Sequence, residues 1–273
     1  EIGVRLVGSE MCIRDRITID GVEDIHNERK PHYRNKDSFA KITSNVDSLL
    51  KLGISVSIRI NTDPYTMERA DELLDYFKEK GWLQYQNFKA YYALLRKEVP
   101  IKGENGEYSK EMFTQSSFFC TYLQKGLEKQ GCGKVMCQDY SVRSVLTNML
   151  LGKSTPYKSH FCGAQSGMII FDPLGDIYSC WDVVGQREYR VGHYMPDFVL
   201  EDTFADKWFD SRVSKFSCIK CKYVLFCGGG CLANAIRTTG NLQSGTCNDY
   251  PRLFNAEIKY IYNEKIKKGI DEN

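Results

Sequence analysis

Residues 218–231 read CIKCKYVLFCGGGC, four cysteines spaced C-x2-C-x5-C-x3-C. Cys247 follows after fifteen more residues. Upstream, Cys162 is followed by twelve residues, then Gly175, four more residues, and Cys180. Thiolates at such spacing can converge on one centre, and soft sulfur ligands select zinc or iron–sulfur clusters. Seven ligands are too many for one tetrahedral site and nearly enough for two. The stretch from Gly167 to Cys180, GMIIFDPLGDIYSC, predicts a β-hairpin with an Asp-Pro-Leu-Gly turn. Gly175 permits the turn that brings Cys180 back beside Cys162. Gly228–Gly230 let backbone N–H groups approach inorganic sulfur.

The 273-residue chain is long enough for one or two domains with a real core. Its eleven cysteines are about 4% of the residues, below the roughly 8–10% that marks a disulfide scaffold. Cysteines at ligand spacing, with no visible secretory leader, point to metal in a reducing compartment, here the cytoplasm. A net charge of +2 predicts no nucleic-acid partner. No apolar run approaches the roughly 20 residues of a bilayer-spanning helix, so no membrane segment is expected.

Residues 1–16, EIGVRLVGSEMCIRDR, do not read like the start of a domain. The run from Arg5 to Asp15 resembles the translation of a transposase adaptor used in sequencing libraries, and such scars carry no fold information. Cys12 therefore has no functional weight, and native sequence is expected from Ile17 onward.

From Ile17 the pattern is strand, helix, strand, helix, strand. Ile17–Asp20 alternates up to Gly21, and a polar segment, EDIHNERKPHYRNK, follows. With Asp37 as N-cap, Phe39, Ile42, Val46, Leu49 and Leu50 recur at helical spacing up to Gly53. Ser55–Asn61 alternates strictly. Thr66 opens a helix carrying Met67, Ala70, Leu73, Leu74 and Phe77, closed by Gly81, and Asn87–Leu95 is a third strand. That order predicts parallel strands with right-handed crossovers. A strand between amphipathic helices that still alternates has something polar on its inner face. Thr18, Asp20, Arg59 and Asn61 would line a polar lumen at the strands' C-terminal ends, where parallel α/β folds bind ligands. Further on, Glu107–Gly131 and Phe204–Phe216 read as helical, and a terminal helix starts at Pro251 with Leu253, Phe254, Ile258 and Ile261.

The seven cysteines with Gly175 resemble the signature of SPASM domains, which hold two auxiliary [4Fe-4S] clusters beside a radical SAM barrel. ITIDG with the following DIHNERK resembles the fourth strand and loop of that barrel, and SIRIN its fifth strand. The resemblance implies an α/β fold: the C-terminal half of a parallel (β/α)6 partial barrel over 17–100, a bridging helical segment over 101–160, a cysteine-rich SPASM domain over 161–250 and a C-terminal helix over 251–273. It implies that Thr18, Arg59 and Asn61 contact S-adenosyl-L-methionine. Asp20, His26 and Arg29 match family-typical positions, with ordering of the loop as the expected role.

Carried over residue by residue, the resemblance gives Cys162, Cys180 and Cys231 to an inner cluster and Cys218, Cys221, Cys227 and Cys247 to an outer one. The inner set has three ligands. An open iron, a fourth ligand from Cys137, Cys132 or Cys120, or His160 would complete it. The implied function is a radical SAM maturase that modifies a peptide or protein through a 5′-deoxyadenosyl radical, with an electron donor such as a flavodoxin or ferredoxin. The family's C-x3-C-x2-C loop for the third [4Fe-4S] cluster does not occur in this chain, so radical chemistry is expected only of a longer parent. In sulfatase-maturating relatives an aspartate follows the second motif cysteine; here Trp181 does, and Asp182 comes one later. This weighs against sulfatase maturation. Two rivals come from other classes. A zinc-binding structural or interaction module shares C-x2-C but not the continuation, and a ferredoxin-like carrier leaves the strand–helix half unexplained.

Overall fold

A computed structural model describes residues 14–95, 113–139, 141–155, 157–247 and 249–263. The chain divides into two compact units, Glu1–Ser141 and Val142–Asn273.

The first unit is built on a parallel sheet. Strands β1 (Arg14–Thr18), β2 (Ser55–Thr62), β3 (Phe88–Leu94) and β4 (Val135–Cys137) lie in that order, all parallel. Helices α1 (Glu23–Arg29) and α2 (Phe39–Lys51) connect β1 to β2, and α3 (Pro64–Glu68) and α4 (Ala70–Glu79) connect β2 to β3. Helices α5 (Gln115–Gln124) and α6 (Leu127–Gln130) precede β4. Val56, Ile58, Ile60 and Thr62 are buried along one face of β2, while Ser57, Arg59 and Asn61 on the other are half-buried. That two-residue alternation is what a strand with one covered face requires. Phe77, Trp82 and Phe88 are fully buried against one another, and the Trp82 indole N–H donates to Asp47 Oδ1 at 2.6 Å.

Several boundaries differ from the sequence reading. β1 begins at Arg14, inside the stretch taken as adaptor-derived, and ends at Thr18. Strand pairing uses the backbone, so any sequence can extend it; residues 1–13, with Cys12, lie outside the described residues. α1 was hidden because only Ile25 and His26 of its seven residues are buried. α2 is capped from a distance: Asn27 Oδ1 accepts from the Ser38 and Phe39 N–H groups, both at 2.9 Å, and Asp37 Oδ1 takes the Ala40 N–H at 3.2 Å. The helix expected from Thr66 starts at Pro64, with Asp63 as N-cap accepting from the Thr66 N–H at 2.8 Å. β4 is three residues long, too short for any periodicity to show. Part of the expected helix 107–131 falls on 107–112, outside the described residues.

The second unit carries a small antiparallel sheet, ordered β5 (Ile170–Phe171), β6 (Asp176–Tyr178), β7 (Arg190–His193) and β8 (Val199–Leu200). The hairpin of β5 and β6 is as expected, with Gly175 at φ +100° in its turn. Helices α7 (Val142–Leu150), α8 (Asp202–Asp210), α9 (Val224–Cys227), α10 (Leu232–Thr239) and α11 (Tyr250–Ile261) complete it. α8 stops six residues short of Phe216, where the chain turns through Val213–Lys215. Ile177, Tyr178, Trp208, Phe216 and Leu232 form a small core together with Cys180 and Cys231. Two of the motif cysteines are thus part of the packing of this unit. On α11, Leu253, Phe254 and Ile261 are buried, whereas Ile258 is 43% exposed.

Candidate metal centre

The seven motif cysteines fall into two groups. Cys218, Cys221, Cys227 and Cys247 line one pocket with Tyr223, Val224, Tyr250 and Pro251, enclosing about 310 Å³ of empty space including its mouth. α9 and the turn before it deliver the first three, and the segment after α10 returns Cys247. Cys162 and Cys231 act electrostatically on Cys180, so these three form the second group. Cys180 and Cys231 are buried; Cys221 and Cys247 are exposed.

Backbone geometry makes the two groups possible. Gly228, Gly229 and Gly230 all have positive φ, at 75°, 86° and 84°. A Cβ on Gly228 would lie 2.3 Å from the His160 carbonyl oxygen, and one on Gly230 only 2.0 Å from that of Thr246. The triple glycine thus lets three segments meet between Cys227 and Cys231. Thr246 locks the meeting: its N–H donates to the Gly229 carbonyl at 2.9 Å and its Oγ1 to the Cys231 carbonyl at 3.0 Å. At Gly245 a Cβ would stand 2.7 Å from Cys218 Sγ, so that position too is shaped by sulfur.

Burial pushes the Cys180 and Cys227 thiols up to about 11 each and raises Cys218. The Gly229 N–H partly offsets the effect at Cys227. Thiols so placed ionise only against a bound cation, which is how a metal centre couples to folding. Among the described residues, no three His, Cys, Asp or Glu side chains converge tightly enough for a single metal ion. Tetrahedral zinc is bound by thiolates at Zn–S distances of about 2.3 Å, and four-iron clusters are likewise held by cysteine thiolates. The all-thiolate donor set fits a cluster.

Gln165, which no sequence signal marked, orients Cys162. It is fully buried, its Oε1 accepts from the Phe161 and Cys162 N–H groups at 2.9 and 3.4 Å, and its Nε2 donates to the Ser211 carbonyl at 2.5 Å. A lone glutamine offers no pattern to read. The His160 backbone lies against Gly228, next to Cys227 of the first group, and its Nδ1 is 3.0 Å from Ser159 Oγ. Cys120, Cys132 and Cys137 belong to the first unit, Cys137 on β4. Trp181 is 71% exposed, with Asp182 half-buried beside it.

The polar residues of the first unit also gather. Thr18 pairs in register with Arg59, on the same face of the sheet as Asp20 and Asn61. Asn61 Nδ2 donates to Asp20 Oδ1 at 2.8 Å, and Arg59 Nε to Asn61 Oδ1 at 2.9 Å. The other oxygen of buried Asp20 faces Lys30 Nζ at 3.4 Å. Its backbone N–H donates to His26 Nδ1 at 3.0 Å, and His26 Nε2 is buried without a hydrogen-bond partner among the described residues. Arg29 donates to Asp63 Oδ2 and Thr66 Oγ1, both at 2.7 Å, tying α1 to α3. His26 and Arg29 thus order the loop between β1 and α2, while Thr18, Arg59 and Asn61 remain on a polar face.

No family model matches the chain. Among curated proteins it is similar to the serine-type anaerobic sulfatase-maturating enzyme of Bacteroides thetaiotaomicron, 22% identical over 90% of this chain and 62% of the relative. A cysteine-type anaerobic sulfatase-maturating enzyme of Clostridium novyi is 24% identical over 92% of this chain and 64% of that protein. The chain therefore spans about three fifths of the length of these relatives. Among solved structures, native anSMEcpe with bound AdoMet and Kp18Cys peptide superposes with a TM-score of 0.57 at 19% identity, covering 94% of this chain and 69% of that one. Streptococcus suis SuiB bound to S-adenosylmethionine gives a TM-score of 0.55 at 12% identity, over 89% of this chain and 54% of that one. The likeness shows the fold alone: the parallel α/β unit and the small cysteine-rich unit that follows it are arranged along the chain as in those structures. No helix among the described residues is long and apolar enough to cross a membrane.

Proposed function

We propose that the chain is part of a cytoplasmic radical SAM enzyme that modifies a peptide or protein, and that it holds two auxiliary [4Fe-4S] clusters. The observation that carries this is the four-cysteine pocket of Cys218, Cys221, Cys227 and Cys247 beside a separate trio of Cys162, Cys180 and Cys231, of which the last two are buried. The cofactors supply the one-electron chemistry; the chain's own residues bind, orient and shield them. Thr18, Arg59 and Asn61 would face S-adenosyl-L-methionine, with Asp20 fixing the Asn61 amide. The inner trio takes an open iron or a further ligand. Solved relatives with bound peptide support a peptide substrate, and a low-potential electron donor is required to start the reaction.

Sulfatase maturation is the second reading, favoured by the similar curated proteins. Exposed Trp181, in the position after Cys180, favours a different peptide.

The test joins the chain to the rest of its gene product and incubates it anaerobically with S-adenosyl-L-methionine, a strong reductant and candidate peptides. Formation of 5′-deoxyadenosine by the longer protein, with none from the 273-residue chain, is expected. In the longer protein Asn61→Ala should weaken binding of S-adenosyl-L-methionine without changing iron content. Conversion of a sulfatase peptide bearing serine or cysteine decides for the second reading. Failure of the longer protein to make any 5′-deoxyadenosine rejects both.

A further inference from the structure

The connection from α1 to α2 is one-sided in charge. Residues 29–36, RKPHYRNK, hold Arg29, Lys30, Arg34 and Lys36 with His32, and no aspartate or glutamate. The stretch follows β1 and α1 and precedes α2, so it stands at the C-terminal end of the parallel strands, where such folds bind ligands. Both of its ends are fixed. Arg29 is held by Asp63 and Thr66, and Lys30 Nζ faces Asp20 Oδ2 at 3.4 Å, the carboxylate that also fixes Asn61. Ser38 Oγ donates to the Lys30 carbonyl, and Asn27 Oδ1 takes the Ser38 N–H.

The middle of the loop faces solvent. Tyr33 is 81% exposed, with the His32 ring centre 4.7 Å from its own and the Arg34 guanidinium 5.2 Å away. Arg34 and Lys36 are exposed and form no ion pair among the described residues. Asp37, next in the chain, is engaged with the Ala40 N–H and the Asn27 amide. Lys36 holds φ +60°, a left-handed backbone that a lysine adopts at a cost, and its N–H is bound by the His32 carbonyl at 2.9 Å. A loop that only joined two helices would need neither the displayed ring nor the strained lysine.

We infer that this loop is the docking site for an acidic segment of the peptide or protein substrate, flanking the residue to be modified. Carboxylates of that segment pair with the Arg34 guanidinium and the Lys36 ammonium, and the Tyr33 ring covers the aliphatic parts of its side chains. Lys30 and Asp20 tie the loop to the polar face of Arg59 and Asn61. A segment held on the loop therefore delivers its neighbouring residues towards that face. The inference rests on the peptide-modifying reading above and gives it a substrate class.

The test uses the full chain, anaerobically reconstituted with iron and sulfide, and reads fluorescence anisotropy of labelled probe peptides. One short peptide is rich in Glu and Asp; its counterpart carries Gln and Asn at the same places. The acidic peptide should bind about tenfold more tightly than the neutral one and lose that advantage as salt is raised. Arg34→Glu with Lys36→Glu should abolish the preference, Tyr33→Ala should weaken binding several-fold, and Lys51→Glu, at the far end of α2, should change nothing. Equal affinity for the two peptides, or a preference that survives in the double variant, overturns the docking site. So does an oligo-dT probe that binds as tightly as the acidic peptide through the same residues, since the loop would then hold any polyanion. Should charge reversal unfold the chain by circular dichroism, Arg34→Gln with Lys36→Asn is read by the same criteria, because asparagine accepts a left-handed backbone. Binding is read without radical chemistry, so the two readings fail separately. In the longer protein, 5′-deoxyadenosine formation with no preference for the acidic peptide rejects the docking site alone, and no 5′-deoxyadenosine at all rejects the enzyme reading.

Discussion

At the scale of single residues, glycines and cysteines set the terms. Gly230 is closed to any side chain by φ +84° and by the Thr246 carbonyl, whereas Gly240 has φ +67° with nothing within 4 Å of where a Cβ would stand. Gly240→Ala should cost only the backbone strain, about 1 kcal/mol, and Gly230→Ala clearly more, because the backbone must also move. Urea unfolding of the reconstituted chain measures both, and equal costs would show that the three-segment junction is not rigid. Cys221→Ala should halve the iron by removing the outer cluster while the inner one persists; loss of all iron on that change would mean the two groups are a single centre. The cysteines and Gly175 were legible because coordination fixes both residue type and spacing. Gln165, Thr246 and Gly245 were not, because each acts through a contact between distant segments that no local pattern encodes.

Among the elements, one helix pair and one single helix show how buried polar groups are held. Arg143 on α7 reaches Glu257 on α11 at 3.4 Å, and the Glu257 side chain is fully buried. Removing one partner leaves a buried charge, so Arg143→Ala should destabilise by about 3 kcal/mol, while Arg143→Met with Glu257→Leu should recover most of that loss. A double variant no better than the single would show that the pair is not what joins the helices. On α1, burial lowers the pKa of His26, against an opposing pull from Asp20 and with Lys30 adding to the decrease. The unfolded state then binds more protons below about 6.5, the ordinary histidine value, so stability is full above that pH and declines as pH falls towards the folded value. Urea midpoints between pH 7.5 and 5.5 should fall for the wild type and flatten for His26→Gln; parallel slopes contradict this. The sequence showed α2, β2 and α4, whose apolar positions repeat over eight or more residues or alternate strictly, and β3 as a short run rich in apolar residues. It concealed α1, β4 and α7, because short elements bury too few side chains to leave a period, and it overextended α8, whose end is set by the turn at Val213.

For the molecule as a whole, two units carry two kinds of chemistry. A parallel sheet presents Thr18, Arg59 and Asn61 on one polar face, and a small sheet with short helices gathers seven cysteines into two groups. The fold class could be read from strand–helix alternation and the cysteine string together, because each imposes a period or spacing on the chain. The grouping of the cysteines needed the resemblance, since spacing alone leaves the pairing of seven ligands open. Four cysteines line one pocket, burial raises the pKa of its Cys227 and Cys218 thiols, and its walls depend on glycines that no side chain could replace. These features support the proposal that the second unit is an iron–sulfur domain, whose stability would then belong partly to its clusters. Iron, sulfide and zinc analysis of the anaerobically reconstituted chain, read with its visible absorption, tests that claim most directly. The account predicts about eight irons and as many sulfides per chain, with a broad brown absorption that bleaches in air; colourless protein holding stoichiometric zinc would contradict it.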